Sequence, residues 1–127
     1  MWQRFHILFT NAGIDSTHVA WIFSVNNVDA YRRDPISGSA ASIAEDIFPG
    51  SDYVDWVGID GYNSVWGWWW TPDQVFDGMV HRLGAIAPSK PLGITKVGCS
   101  TVSSTPSAKA QWVTSYFSWL RAPRVER

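Results

Sequence analysis

The chain has 127 residues, 46% of them hydrophobic and 17% charged, which is enough for one folded domain with a modest core and too apolar for a disordered segment. A formal net charge of -1 offers no electrostatic footprint for nucleic acid or for an anionic membrane surface. The single cysteine, Cys99, excludes an intrachain disulfide, and no apolar run reaches the roughly 18 residues that a membrane span needs.

The first segment reads as a helix over about Trp2 to Ala12. Trp2, Phe5, Leu8, Phe9 and Ala12 recur at three-to-four spacing, and Gly13 suits the position just past the helix end. His18 to Ser24, a short apolar run with β-branched and aromatic residues, predicts a buried strand. A polar connection follows through Asn26, Asn27, Tyr31 and Arg32 to Pro35, and a short helix is expected within Ser39 to Phe48, stopped by Pro49-Gly50. Trp56 to Asp60 predicts a second strand, and Gly61 to Thr71 a long loop carrying Trp66, Trp68, Trp69 and Trp70. Three adjacent Trp cannot all face inward on one strand or helix.

The next helix has a marked start: Thr71 as N-cap, Pro72 at the first helical position and Gln74 completing a capping box. Val75, Phe76, Met79, Val80, Leu83 and Ile86 form its expected buried stripe. Pro91 to Thr95 predicts a third strand, followed by a loop of small residues over Gly98 to Thr105. Pro106 opens a last helix whose inner face is expected to be Trp112, Val113, Tyr116, Phe117 and Leu120. Strands alternating with helices imply a parallel α/β sheet with right-handed crossovers. The two similar units, 56–87 and 91–120, suit a (β/α) barrel and equally a doubly wound sheet.

In parallel α/β proteins ligands collect at the carboxyl ends of the strands. Those ends present Ser24 and Asn26, then Asp60, Tyr62 and Asn63, then Lys96 and Cys99, with the Trp-rich loop leaving the same rim. Flat aromatic faces beside short polar side chains suit a sugar, whose ring has an apolar C–H face and a hydroxyl edge. For Asp60 the competing explanation is an internal hydrogen bond holding a neighbouring loop, and for Tyr62 a core tyrosine with a satisfied hydroxyl. Lys96 is placed to pair with Asp60 across the rim. His6, His18 and His81 are too scattered for a metal site, Cys99 has no partner thiol, and no Gly-rich phosphate loop follows any strand. No metal and no cofactor is expected.

The run from Pro49-Gly50 through Tyr53-Val54-Asp55-Trp56-Val57-Gly58-Ile59-Asp60-Gly61-Tyr62-Asn63 closely resembles the sixth barrel strand of glycoside hydrolase family 26, the mannanase-type glycosidases. Trp21-Ile22-Phe23-Ser24-Val25-Asn26 is similar to the family's fifth strand, with Val25 where a Pro is usual. Lys90 to Ser100 is similar to the seventh strand, and Lys109-Ala110-Gln111-Trp112-Val113 to the helix that follows. The resemblance implies a partial (β/α)8 TIM barrel, roughly strands five to seven with flanking helices. On this reading residues 1–127 are one domain, an incomplete barrel fragment.

The resemblance also implies a β-glycan such as mannan as partner, bound by Tyr62, Asn63, Asp60, Trp66, Trp68, Trp21 and Asn26. Tyr62 resembles the tyrosine that bonds the nucleophile and walls the first sugar subsite. A retaining glycosidase needs two carboxyl groups roughly 5–5.5 Å apart. The family takes its acid/base Glu from the fourth strand, which the resemblance places before Met1, and its nucleophile position is occupied here by Lys96, which cannot form a glycosyl ester. The expected outcome is a chain without glycosidase activity, either a truncated hydrolase or a non-catalytic carbohydrate-binding pseudoenzyme. A small α/β domain of flavodoxin-like type is the reading unrelated to sugars. The family is secreted, whereas Met1-Trp2-Gln3-Arg4-Phe5-His6 lacks the features of a signal peptide, which fits a chain beginning partway through a longer gene. Three barrel strands leave two unpaired edges, so self-association through exposed strand edges is also expected.

Overall fold

The computed structural model describes residues 1–27, 43–63, 69–101, 105 and 107–122. Helix α1 spans Trp2–Asn11. Gly13 ends it in the left-handed conformation (φ 80°), the Gly13 N–H donating to Thr10 O at 3.0 Å and the Ile14 N–H to Phe9 O at 2.9 Å. These are the two bonds of a Schellman motif, which the glycine makes possible because it has no Cβ to clash.

Strand β1 is Ile22–Asn26, starting later than the apolar run suggested. Asp15 Oδ1 accepts from the Thr17 N–H at 2.9 Å and the Thr17 hydroxyl at 2.6 Å, and this side-chain turn holds the chain away from extended geometry through His18. Helix α2 covers Ile43–Ile47, and a single 3-10 turn covers Ser51–Tyr53. Strand β2 is Trp56–Asn63 and helix α3 is Pro72–Ile86. Strand β3 is Leu92–Cys99 and helix α4 is Ala108–Arg121. Thr71 and Gln74 form the expected capping box at the start of α3, the Thr71 N–H donating to Gln74 Oε1 at 3.0 Å.

The three strands are parallel in the order β1-β2-β3. β1 and β2 pair one to one from Ile22–Trp56 to Asn26–Asp60. The amino ends are clamped by Asp55, whose Oδ2 accepts from the Trp21 N–H at 2.7 Å while its own N–H donates to Trp21 O at 2.8 Å. β2 and β3 pair from Val57–Leu92 to Asn63–Cys99, with an irregularity after Ile59–Ile94 that leaves Thr95 as an extra residue on β3. β2 and β3 both run further than the sequence suggested. Tyr62, Asn63, Lys96 and Cys99 are polar or small, but the ladder between two parallel strands is made by the backbone and continues beneath them.

The partial (β/α)8 barrel expected from the resemblance is not what this chain forms. Its three strands make an open sheet, and among the described residues nothing pairs with the outer edge of β1 or of β3. Closing a barrel needs a full circuit of tilted, staggered strands, which three cannot supply. Among the described residues a flavodoxin-like arrangement is absent as well, since the strand order follows the sequence and the core lies to one side of the sheet.

That core joins Phe23 and Val25 of β1 and Val57 and Ile59 of β2 to Val75, Phe76, Met79 and Leu83 of α3 and to Trp112 and Tyr116 of α4. Ala44 of α2 belongs to the same cluster, and Trp2 of α1 packs against it. The α3 stripe is as expected, with Val80 and Ile86 at its margin. The α4 stripe differs. Trp112, Tyr116 and Trp119 carry the packing, whereas Val113, Phe117 and Leu120 are exposed, because α4 lies along the edge strand and has a narrow surface to cover.

Among the described residues nothing covers the opposite sheet face. Ile22, Ser24, Asn26, Trp56, Tyr62, Thr95 and Lys96 are all exposed there, and strand alternation puts the buried Gly58 and half-buried Asp60 on the same face. Within the described residues no helix is long and apolar enough to cross a membrane.

Candidate functional site

The open face has its polar centre at Asp60. Asp60 is the only acid in the three strands, and it is held on all sides. Lys96 Nζ donates to its Oδ2 at 2.8 Å, while Ser24 Oγ and Thr95 Oγ1 donate to its Oδ1 at 3.0 and 2.6 Å. The irregularity at Thr95 makes this possible. In regular strand geometry successive residues face opposite ways, but here the bulge turns both Thr95 and Lys96 toward Asp60. Gly58 supplies the room, since a Cβ there would come within 2.6 Å of Thr95 Cγ2.

The Asp60 side chain is 14% exposed and that of Lys96 65%. Partial burial works against the Asp60 charge, but the bonds from Lys96, Thr95 and Ser24 outweigh it and hold the carboxyl below its ordinary range. The bond to Asp60 and its charge hold the Lys96 ammonium above its ordinary value. A depressed carboxyl stabilises the fold above its unfolded pKa and loses that contribution as pH falls through the lower folded value. Thermal melts are therefore expected to be flat from about pH 7 to about pH 5 and to fall below about pH 4, with a smaller fall in Asp60→Asn. Asp15 and Glu45 are lowered too, so the difference between the two proteins isolates Asp60.

The structure brings four of the expected residues together. Asn26, Asp60 and Lys96 stand in one cross-strand row, and Tyr62 lies one step further along β2. The Tyr62 ring rests over Gly98, where a Cβ would come within 2.7 Å of its Cδ1, and Tyr62 is 40% exposed. Asp60 and Lys96 lie within their strands rather than at the rim.

The remaining residues are elsewhere. Asn63 is fully buried on the helix side, its Oδ1 accepting from the Trp70 N–H at 2.7 Å and its Nδ2 donating to Cys99 Sγ at 3.6 Å. Trp70 O in turn accepts from Trp112 Nε1 at 2.7 Å, so Asn63 ties the end of the Trp-rich segment to α4. Trp21 sits at the amino end of β1 among Trp2, His6 and Phe9 of α1, at ring distances of 5.8, 5.3 and 5.3 Å. Trp66 and Trp68 lie outside the described residues.

Sequence reasoning missed Thr95 as a site residue. Only the bulge brings it to Asp60, and no residue type in Ile94-Thr95-Lys96 marks a bulge. No group of three or more His, Cys, Asp or Glu able to hold a metal occurs among the described residues.

No family profile matches the chain. Over 121 residues it is 30% identical to Endoglucanase H of Acetivibrio thermocellus, an alignment that covers 91% of this chain and 12% of that protein. The chain thus spans about an eighth of the length of this curated relative. The similarity places the chain in relation to a glycosidase.

Proposed function

We propose that this chain is a non-hydrolytic, carbohydrate-binding relative of glycoside hydrolase family 26 that takes a β-glycan such as mannan on the face formed by Asn26, Asp60, Tyr62 and Lys96. The observation that carries the reading is the Lys96–Asp60 ion pair, at 2.8 Å. Double displacement on a glycoside needs one carboxylate free to attack and a second carboxyl to give up a proton. Here the strands contribute one acid. Its oxygens are occupied by Ser24, Thr95 and Lys96, and its low pKa makes it a poor proton donor at neutral pH.

What remains suits binding. Tyr62 offers a ring for stacking on a pyranose, Lys96 has two further N–H bonds for hydroxyl groups, and the paired charges leave the site neutral, matching a neutral sugar. The related endoglucanase supports a polysaccharide ligand in general terms. Relation to a secreted family supports action outside the cell, and the edges of β1 and β3, unpaired among the described residues, support self-association.

Calorimetric titration with mannopentaose tests the reading. Saturable heat is expected with the native chain, reduced about tenfold in apparent affinity by Tyr62→Ala, in line with the loss of one stacking ring. A flat titration of the native chain would reject it.

A further inference from the structure

The carboxyl end of β2 carries a side chain that the function above does not use. Among the described residues Asn63 is the polar side chain that is fully buried. Two bonds fix it to the end of β3: its backbone O accepts from the Ser100 N–H at 3.2 Å, and its Nδ2 donates to Cys99 Sγ at 3.6 Å. Its Oδ1 accepts from the Trp70 N–H at 2.7 Å, while Trp112 Nε1 donates to Trp70 O at 2.7 Å. Trp70 lies in neither a helix nor a strand, so side chains from β2 and α4 hold its N–H and its C=O. Trp112 is itself 4% exposed and stacks on Tyr116 at 5.8 Å and 6°, so both ends of this clamp are rigid.

Clamping Trp70 divides an aromatic pair. Trp70 packs against the core, whereas Trp69 is 40% exposed. The N–H that Asn63 accepts belongs to the peptide joining the two. This puts the Trp69 Cα within about 9 Å of the Asn63 Cα, at the carboxyl end of β2, where ligands of parallel sheets collect. We infer that Asn63 is a positioning residue: with Trp112 it fixes the Trp70 peptide so that Trp69 stands at this rim as an aromatic contact for the bound sugar. The inference rests on the carbohydrate-binding reading and adds what holds that contact ready in the free protein. An exposed Trp on an unclamped segment must be ordered when ligand binds, and the two hydrogen bonds to Trp70 complete that ordering on folding. The bonding argues for positioning beyond core filling. An apolar side chain at position 63 could occupy the space, but only an acceptor fixes the direction of the Trp70 N–H.

The test joins a ligand-free readout to a binding cycle. The chain is labelled with fluorotryptophan and followed by fluorine NMR, the Trp69 signal being identified by its loss in Trp69→Phe. One sharp Trp69 signal is expected in the native chain. Asn63→Ala and Trp112→Phe are each expected to broaden it or move it toward its position in the urea-unfolded chain, at a temperature where near-ultraviolet circular dichroism shows the variant folded. Trp112→Phe keeps an aromatic ring and removes the donor, and it carries the test should Asn63→Ala fail to fold. Calorimetric titration with mannopentaose then measures affinity. Trp69→Ala is expected to weaken it about tenfold, and Asn63→Ala and Trp112→Phe about fivefold each. In a Trp69→Ala background neither change is expected to weaken it further, because both act through that ring. A merely structural role would lower affinity by the same factor in both backgrounds. An unmoved Trp69 signal in the folded variants, or equal losses with and without Trp69, overturns the proposal. If Trp69→Ala binds mannopentaose as the native chain does, the proposal falls while the binding function stands. If the native chain does not bind the probe, both fall.

Discussion

Phe76→Ala is expected to lower the unfolding free energy by about 3–5 kcal/mol, the usual cost of emptying a buried aromatic site. Phe76 is fully buried and joins three elements. Its ring is 5.0 Å from that of Trp119, nearly parallel at 27°, and 5.7 Å from that of Tyr116. It also roofs β2 at Gly61. Removing it leaves a cavity lined by rigid rings and strand backbone, which have little freedom to collapse inward. Domains of this size have about 5–15 kcal/mol in all, so the loss consumes a large share of the total. Urea unfolding measures it directly, and a cost below about 1 kcal/mol would show that the core is not organised around this ring.

Gly61→Ala is the complementary change and is expected to cost about 1–3 kcal/mol or more by overpacking. A Cβ at Gly61 would lie 2.0 Å from Phe76 Cε1 and 2.5 Å from Cζ. Retreat is difficult on both sides, because Gly61 is held in the ladder opposite Val97 and Phe76 is held by Tyr116 and Trp119. The pair makes a sharp test of geometry. In a Phe76→Ala background the added methyl enters the cavity, so the double variant is expected to be more stable than the sum of the two single effects. Simple additivity in urea midpoints would contradict the contact.

How much of this was legible in the residues varies with the physical cause. α3 was readable almost whole, because its capping box, proline and apolar stripe are all local signals at fixed spacing. The end of α1 was readable from one glycine. The start of β1 was not, since an aspartate side chain overrides the β-branched run that follows it. Strand lengths were underestimated where polar residues continue a backbone ladder, as at Tyr62 and Asn63. The inner face of α4 was drawn too wide, because a sequence does not say that its helix will lie along an edge strand. The barrel expectation failed at the level of architecture: similarity to individual strands carries no information on whether enough of them are present to close.

For the candidate site, strand alternation and the likeness of Asp60-Gly61-Tyr62-Asn63 to a known strand singled out Asp60 and Tyr62, which share the open face, and proximity suggested the Lys96–Asp60 pair, which is formed. Asn63 illustrates the limit. It follows Tyr62 in sequence, so the pleat turns it to the other face, where it anchors the Trp70 backbone instead. Thr95 illustrates the converse, a residue brought to the site by one irregularity in register.

On the proposed function, Lys96 leaves this face able to hold a sugar chain and unable to cleave it. The most direct measurement incubates the purified chain with mannopentaose and resolves both protein-bound and free sugar by chromatography. Pentasaccharide is expected to be retained by the protein and recovered intact at every time point. Shorter products accumulating above a protein-free blank, and disappearing in Asp60→Asn, would contradict it.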